Sequence, residues 1–524
     1  MRNHQLLIIF SNRNFLQNFH SKLSEYTIQR KLSVRMLWSL TLIVGVFAYV
    51  NSSQISPNDF WWHMAVGKDI LKSYQIPSVD IYSYTMAGQP YPSYQMFWFM
   101  DVWLFSLYNL GGLELVLFSQ SLIITGTYFI ILILCWRNSQ KWGVTTLCIL
   151  FAIILGIYAW SVRTQAISFL IGTLFLLAIY SYRRQPNNGW FAVFLLGMLV
   201  WVNSHGSFPV GLLMIGIWFA DELYRFWKSR RKGTFEPLNQ LIVPGFTMVL
   251  STSICLVNPR GENVLDYLIT MATNQIVQNS VPEWAPPSIT SPIGILYFSG
   301  ILITALILAI SQRRPTFFQL ATFLAFALLG IRTTRGVIWF GLTIAPILAS
   351  HLSTIIEQKS KNPSVHIYRL RWMAINLSIL VILFILAMVS LPWLRGIVPK
   401  SPEGRTFLTH DTPVEATQYL VDEHLPGRLF NDIAFGSYLI WAAQPNYQVF
   451  VDTRIELFPP DIWHHYQIIS NSLPGWENVI ENYDIQTFML NPIAQEPLAH
   501  ELKLSSKWRL IYSDNDAWIF TRNR

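Results

Sequence analysis

The residues best suited to chemistry in this sequence surround one acid, Asp59, which is followed four residues later by His63. A carboxylate at such a position could act as a general base and accept the proton of an attacking hydroxyl group. The spacing also permits a shared metal ion on one helix face, but no third ligand is evident, and a hydrogen-bonded histidine explains the pattern better. Asp before an aromatic run is equally typical of a helix N-cap. Base and cap therefore both remain open for Asp59.

Four arginines stand at ends of apolar segments where membrane orientation does not require positive charge: Arg163, Arg260, Arg332 and Arg335. Charged groups near membrane depth are costly, so they usually face a wet cavity, a partner or a ligand. Arginine forms forked bonds to phosphate oxygens, so four of them suggest an anionic ligand, most simply the phosphate of a lipid carrier. Any single one could instead reach toward lipid headgroups, and Arg163 could pair with Glu283 or Asp101.

Further polar residues are predicted at the same side of the membrane as Asp59 and the four arginines. Together these residues come from five separate loops, and their joint placement favours a binding site over a set of unrelated structural roles. The additional candidates are His63, Gln165, Asn203, His205 and Glu283.

The composition indicates a membrane protein. Of the 524 residues, 52% are hydrophobic and only 13% are charged, whereas soluble domains carry about 25% charge. Residues 393–524 contain 10 Lys and Arg against 16 Asp and Glu, a net charge of −6. Since the whole chain has a net charge of +8, the first 392 residues have a net charge of +14. Because the basic excess belongs to the apolar part, it is assigned to membrane orientation, and no nucleic-acid partner is expected.

About eleven runs are long enough to cross the hydrocarbon core of a bilayer, and the first is expected to remain as an anchor. Residues 1–35 form a basic tail before them. The predicted spans are 36–52, 113–135, 143–161, 165–182, 190–204, 207–224, 239–257, 292–311, 316–331, 336–352 and 373–392.

Basic clusters in alternate connections fix the predicted orientation. With the N-terminus in the cytoplasm, every cluster lies on the cytoplasmic side, and the odd number of spans places residues 393–524 outside. The clusters lie at residues 30–35, 137–141, 183–184, 225–232, 313–314 and 359–371.

Two long connections are predicted on the outer side, residues 53–112 (the first long loop) and 258–291 (the second long loop). The first contains Phe60-Trp61-Trp62 and a second aromatic stretch at 97–103, which suit helices lying in the headgroup layer. The second contains four prolines and is expected to be largely irregular.

Residues 393–524 are predicted to form a small soluble α/β domain. Helices are expected at 413–424 and 497–504. Strands are expected at 428–431, 448–451, 487–490, 508–512 and 517–521. Asp432 is interpreted as a turn former, whereas the roles of Asp452 and Arg454 stay open.

Several short segments resemble the GT-C superfamily of membrane glycosyltransferases, and most of all a poorly characterised bacterial branch. That superfamily includes protein O-mannosyltransferases, oligosaccharyltransferases and aminoarabinose transferases. The resemblance runs from about residue 55 to the C-terminus. It rests on the segments at 59–67, 84–90, 201–206, 258–261, 283–284, 431–439 and 451–454.

The resemblance implies an enzyme that takes a sugar from a polyprenyl phosphate or diphosphate outside the membrane and inverts the anomeric centre. It implies that Asp59 is the essential acid of the first long loop. Related chains have a His-Glu pair where this one has Met96-Phe97, so Asp101 is the nearest acid and the second catalytic candidate. The first long loop has no Asp-x-Asp, and no metal or other cofactor is expected. The acceptor, whether glycan, lipid or protein, stays open.

Two other functions are compatible with many helices and unusual charges. One is a transporter or flippase of a lipid-linked or anionic substrate, although transporters usually place charges near the midplane and often show repeated halves. The other is a non-catalytic membrane scaffold. Substitution of Asp59 distinguishes the three.

Overall fold

A computed structural model describes residues 34–234, 238–274, 278, 281–359, 370–395 and 407–523. Most of the basic tail predicted at residues 1–35 lies outside these ranges, as do parts of the basic cluster at 359–371. The α-helices that precede the C-terminal domain are α1 Val34–Ser52, α2 Phe60–Ser73, α3 Ser93–Ser139, α4 Trp142–Gly156, α5 Ala166–Arg184, α6 Gly189–Val202, α7 Pro209–Arg231, α8 Asn239–Ile254, α9 Val264–Thr273, α10 Pro292–Ile310, α11 Phe317–Arg332, α12 Gly336–Lys359 and α13 Leu370–Val389.

Each of the eleven predicted spans coincides with one of these helices, which confirms a polytopic helical membrane protein. Six helices are long and apolar enough to cross a membrane, namely α1, α3, α4, α5, α10 and α12. The other five are shorter or less apolar. Helix α12 lies at the centre of the bundle, since 94% of its most apolar window is buried.

Helix α3 is broken near its middle, where the first long loop enters the membrane part. Gly111 and Gly112 leave the helical conformation, and Gly112 has a φ of 66°, which only glycine adopts at little cost. The part before the break belongs to the first long loop, whereas the part after it matches the span predicted at 113–135. Helix α3 therefore consists of two helical segments, one on each side of the break at Gly111 and Gly112.

The aromatic stretch at the start of α2 is enclosed by protein. Phe60, Trp61 and Trp62 are each at most 3% exposed. These three side chains therefore do not make the contact with lipid headgroups that was predicted for them. The second long loop is also more regular than predicted, since it contains α9.

The C-terminal domain, here residues 407–523, is a four-stranded sheet flanked by helices. The strands are β1 Arg428–Asn431, β2 Ile485–Leu490, β3 Trp508–Ser513 and β4 Trp518–Arg522, in the order β1-β2-β4-β3. Only the β1 and β2 pair is parallel. The helices are α14 Val414–Asp422, α15 Ile433–Ala442, α16 Pro460–Ser470, α17 Trp476–Asn482 and α18 Glu496–Leu504.

Four of the five predicted strands and both predicted helices of this domain are confirmed. The prediction of a strand at 448–451 is wrong. This segment is not part of the sheet and instead forms an isolated bridge with the first long loop, between Val449 and Ser83. Helices α15, α16 and α17 were not predicted. Asp432 caps α15 by accepting the Ala434 N–H at 2.8 Å, in agreement with its interpretation as a turn former.

The first long loop and the C-terminal domain share one hydrophobic core. Trp62, Val66 and Tyr82 of the loop are buried in the same cluster as Phe430 and Phe488 of the domain. The backbone bridge between Ile55 and Leu408 adds a second connection. The two segments therefore form one packed layer beside the helical bundle.

A buried ion cluster lies inside this layer. The Arg454 guanidinium donates to both carboxylate oxygens of Asp452, at 2.8 and 2.6 Å, and also to Asp80 and the Tyr94 hydroxyl of the first long loop. Burial alone would raise the pKa of Asp80, but the charge of Arg454 together with hydrogen bonds from Ser83 and Arg454 lowers it. Asp452 and Arg454, whose roles the sequence left open, thus join the domain to the loop.

Candidate functional site

A cavity of about 860 Å³ lies between the helical bundle and the layer formed by the first long loop and the C-terminal domain. Its wall is built from the start of α2, the connection before α5, the connection before α7, the second long loop with α9, the start of α12, and residues 433–456 of the C-terminal domain. Segments from distant parts of the sequence therefore meet around one space.

Seven of the eleven residues predicted for the site line this cavity. They are Asp59, His63, Arg163, Gln165, His205, Glu283 and Arg335. The other four, Asp101, Asn203, Arg260 and Arg332, are not part of its wall.

The Asp59 side chain makes no hydrogen bond that caps α2. The neighbouring Asn58 accepts the Phe60 N–H at 3.0 Å instead, and the Asp59 carboxylate is 3.4 Å from the Trp62 indole nitrogen. Of the two explanations that the sequence left open, the structure contradicts the cap. The Asp59 carboxylate does not cap the helix, and Asp59 lines the cavity.

Arg163 and Arg335 hold the carboxylate of Glu283 between them. Arg163 Nη1 lies 2.6 and 2.8 Å from the two carboxylate oxygens, and Arg335 Nε lies 3.0 Å from one of them. Burial alone would raise the pKa of Glu283, but the two guanidinium groups outweigh this effect and lower it. The trio has a net charge of +1.

This trio retains hydrogen-bonding capacity. Arg163 Nε is buried and has no hydrogen-bond partner within the described ranges. Burial alone would lower the pKa of Arg163, but Glu283 and then Asp59 raise it above its usual value, which shows that Asp59 is close enough to interact. Arg335 also lies over the Trp284 ring, 5.0 Å from its centre. An anion with acceptor oxygens is the kind of ligand that such donors bind.

Asp101 lies behind the cavity wall and contacts His63. His63 Nδ1 is 2.6 Å from Asp101 Oδ1, and Asp101 is fully buried. Gly67, one turn beyond His63, lets α2 and α3 approach this closely, because a Cβ there would stand 2.0 Å from the Asp101 carbonyl oxygen. Asp101, a catalytic candidate from the sequence, therefore has no direct access to a ligand.

His205 lies in the cavity wall. Its Nδ1 is 2.8 Å from the Ser207 hydroxyl and 3.1 Å from the Ser207 backbone nitrogen. Burial, followed by the nearby Arg335, lowers the pKa of His205 to about 3. The ring therefore favours its uncharged form.

Asn203 is a structural residue, in contrast to its prediction as a binding residue. Its carbonyl oxygen accepts from Trp98 and Asn258, and its amide donates to the carbonyls of Leu199 and Val257. All the usual hydrogen-bonding capacity of an amide is thereby used.

Two arginines predicted to bind the ligand point elsewhere. Arg260 donates to the carbonyl of Asn263 at 3.3 Å and lies over the Tyr267 ring, so it supports α9 from outside the cavity. Arg332 is exposed at the end of α11. For both arginines the structure therefore favours the alternative raised in the sequence analysis, that a single arginine has a structural role.

The sequence did not point to Glu456, which lines the cavity from the C-terminal domain. Its Oε1 accepts the Tyr91 hydroxyl at 2.6 Å and the Ser93 hydroxyl at 3.0 Å. The only signal was its position two residues after the segment at 451–454. Among the residues that the structure describes, no group of three or more His, Cys, Asp or Glu side chains is arranged to hold a metal ion.

No protein-family model matches the chain, and no curated protein matches it by sequence. Solved structures do match. The archaeal oligosaccharyltransferase AglB from Archaeoglobus fulgidus, in complex with an inhibitory peptide and a dolichol-phosphate, has a TM-score of 0.52 at 11% identity; the match covers 93% of this chain and 74% of that one. The mycobacterial arabinofuranosyltransferase AftD has a TM-score of 0.53 at 13% identity, with coverages of 94% and 40%.

The chain has the GT-C fold. Both matched structures are GT-C glycosyltransferases, and each match extends over more than nine tenths of this chain. At 11% and 13% identity the likeness establishes the fold alone. The reaction that a protein with the GT-C fold carries out depends on the residues of its cavity.

Proposed function

We propose that this protein is a membrane glycosyltransferase. It moves a sugar from a polyprenyl phosphate or diphosphate carrier to a hydroxyl group of an acceptor, at the outer face of the membrane, with inversion of the anomeric carbon. The observation that carries the proposal is the placement of Asp59, Arg163 and Arg335 around one cavity.

Asp59 is the base in this proposal. A general base needs a carboxylate oxygen that can accept a proton from the acceptor hydroxyl, and positioned bases typically accelerate reactions by about 10² to 10⁴-fold. The Asp59 carboxylate does not cap α2, and its one hydrogen-bond contact among the described residues is the long one with the Trp62 indole N–H. The acceptor oxygen attacks the anomeric carbon as its proton passes to Asp59, and the bond to the carrier phosphate breaks.

Arg163 and Arg335 receive the carrier phosphate. Negative charge grows on the phosphate as it leaves, and donors that are already oriented stabilise that charge at little cost of reorganisation. Glu283 orients both guanidinium groups and cancels one of their two charges. The remaining positive charge and the free Arg163 Nε are available to the phosphate.

The cavity size and lining suit a sugar phosphate. Its volume of about 860 Å³ falls within the range of about 300 to 1,000 Å³ that is common for small-molecule sites. Trp62, Tyr91 and Trp339 supply aromatic surface in the wall. The AglB structure contains dolichol-phosphate, which is a polyprenyl phosphate, and we propose the same class of carrier for this chain.

The proposed setting is the inner membrane of a bacterium. The basic clusters predict a cytoplasmic N-terminus and an extracytoplasmic C-terminal domain. The cavity, which borders that domain, then opens on the outer side. Lipid-linked sugars on that side are the substrates that the proposal requires.

Asp59→Asn tests the proposal against a matched control, Asp69→Asn. Both acids lie in or next to α2, but Asp69 accepts the Tyr82 hydroxyl at 2.6 Å and does not line the cavity. A strain that lacks the protein should lose an envelope glycan, measured by mass spectrometry. Wild type and Asp69→Asn should restore this glycan, and Asp59→Asn should not.

If Asp59→Asn restored the glycan, the enzymatic proposal would be overturned, and a non-catalytic scaffold would be the remaining function. A transporter would instead show the lipid-linked sugar held at the inner leaflet of the deletion strain. An assay of the purified protein in detergent distinguishes a transferase from a transporter. Only a transferase releases free polyprenyl phosphate from its sugar-linked form.

A further inference from the structure

Glu456 brings a carboxyl group into the cavity from the C-terminal domain, where Asp59 and Glu283 already supply two. Its surroundings differ from those of the other two acids. Glu283 has two guanidinium partners, whereas Glu456 has no Lys or Arg partner among the described residues. The guanidinium of Arg454, two residues earlier, is occupied by Asp452 and Asp80.

The hydrogen bonds of Glu456 distinguish its two oxygens. Oε1 accepts two hydroxyl donors, from Tyr91 and Ser93. Oε2 makes no hydrogen bond to another residue in the described part of the chain, although the backbone N–H of Glu456 itself also interacts with its carboxyl group. In a protonated carboxyl group the carbonyl oxygen accepts and the other oxygen donates, so in the neutral acid Oε1 would accept the two hydroxyls and Oε2 would carry the proton.

The charges around Glu456 also favour the neutral acid. Burial raises the pKa of Glu456, the Tyr91 and Ser93 hydroxyls counteract this in part, and the negative charge of Asp59 raises it again, so that it lies above the ordinary value of 4.5. Tyr267 faces Glu456 from α9. Arg454 is the nearest cation on its own segment, and its charge is outweighed by Asp80 and Asp452.

We propose that Glu456 acts in its protonated form and donates a hydrogen bond from Oε2 to a phosphate oxygen of the lipid-linked ligand. This inference rests on the proposed function, since it requires a phosphate in the cavity. An ionised carboxylate in the same place would repel that phosphate. The C-terminal domain is therefore a part of the ligand site and not only an attachment to the membrane bundle.

The proposal makes phosphate binding depend on one proton. A bound phosphate stabilises the protonated form of Glu456, and loss of that proton weakens binding. Wild-type affinity should fall by about tenfold for each pH unit above the pKa of Glu456 in the unliganded protein, relative to a variant that cannot ionise there.

Glu456→Gln is the decisive variant, because its amide keeps the shape and a donor but cannot ionise. The experiment measures the binding of a polyprenyl phosphate to the full chain in detergent over a series of pH values. The ratio of the wild-type Kd to the Glu456→Gln Kd cancels the titration of the phosphate itself. This ratio should be constant at low pH and rise as the pH increases.

A second variant shifts the same titration without touching the acid. Ser93→Ala removes one donor to Oε1 that stabilises the ionised form, so the wild-type fall in affinity should move to higher pH. A ratio that stays flat, or a fall that moves to lower pH in Ser93→Ala, overturns the inference. Failure of the wild type to bind polyprenyl phosphate at any pH overturns the proposed function instead.

Discussion

His63 Nδ1 lies 2.6 Å from Asp101 Oδ1, and this buried contact joins α2, which begins beside Asp59, to the first part of α3. The other carboxylate oxygen of Asp101 has no hydrogen-bond partner in the part of the chain that the structure describes. Asp101 and His63 thus depend on each other. Together they fix the helix turn that follows Asp59.

Asp101→Ala should destabilise the protein, because it leaves a buried imidazole without its partner. Removal of one partner of a buried hydrogen bond typically costs about 1 to 3 kcal/mol. The double variant His63→Ala with Asp101→Ala should be less destabilised than the sum of the single variants, by about 0.5 to 3 kcal/mol. Unfolding in detergent measures this coupling, and strictly additive effects would show that the contact carries no energy.

Gly67→Ala should separate α2 from α3. The added methyl group would meet the Asp101 carbonyl oxygen at 2.0 Å, and that atom belongs to the backbone and cannot move aside cheaply. Overpacking of this kind costs about 1 to 3 kcal/mol or more.

Gly45→Ala is the matched control, since a Cβ at Gly45 meets nothing within 4 Å. It lies inside α1, where alanine is the better helix former. The apparent melting temperature in detergent should fall for Gly67→Ala and stay constant or rise for Gly45→Ala. Equal melting temperatures would refute the close approach.

Arg335→Gln should weaken the binding of a polyprenyl phosphate by about tenfold, which corresponds to about 1.4 kcal/mol. The reason is the loss of one of two guanidinium groups in the cavity wall. Arg332→Gln is the control, because this arginine is exposed three residues away and does not line the cavity. Equal affinities of the two variants would contradict the assignment of Arg335.

Arg335→Gln should also change the pH dependence of stability. The folded-state pKa of Glu283 is lowered, so its ion pairs stabilise the protein above the unfolded pKa and this stabilisation is lost as the pH falls through the folded pKa. With only Arg163 left, the folded pKa moves back upward, so the loss is smaller and is complete at a higher pH. Melting temperatures of both proteins in an acid pH series measure the shift.

Arg454→Met should detach the C-terminal domain from the first long loop. It leaves Asp80 and Asp452 buried without their cation, at a cost of about 3 to 5 kcal/mol. Limited proteolysis should then cut the chain between the bundle and the domain. Arg522→Gln removes an exposed pair with Glu481, and such pairs contribute about 1 kcal/mol at most, so it should stay resistant.

The sequence predicted the membrane part well because its signal is local. A run of about twenty apolar residues has to be a helix in a bilayer, whatever its neighbours are. Asp59, Arg163 and Arg335 were found for a related reason: polar side chains at the ends of such runs need an explanation. Neither argument requires knowledge of the tertiary structure.

The errors arose where a distant partner decides the outcome. Asn203 looks like a ligand residue until its four hydrogen bonds are seen, and three of them involve residues more than 50 positions away. The segment at 448–451 was mistaken for a strand of the sheet because its partner, Ser83, lies in the first long loop. Glu456 becomes notable only when Tyr91 and the cavity are beside it.

The shared core of the first long loop and the C-terminal domain also bears on how the chain is made. Asp80 and Arg454 are separated by 374 positions, so at a synthesis rate of roughly 5 to 20 residues per second the loop leaves the ribosome on the order of 20 to 75 seconds before its partner exists. During that interval Trp62, Val66 and Tyr82 have no domain to cover them. The shared core therefore cannot form until the last quarter of the chain is translated, and a chaperone that shields the waiting loop would raise the yield of folded molecules.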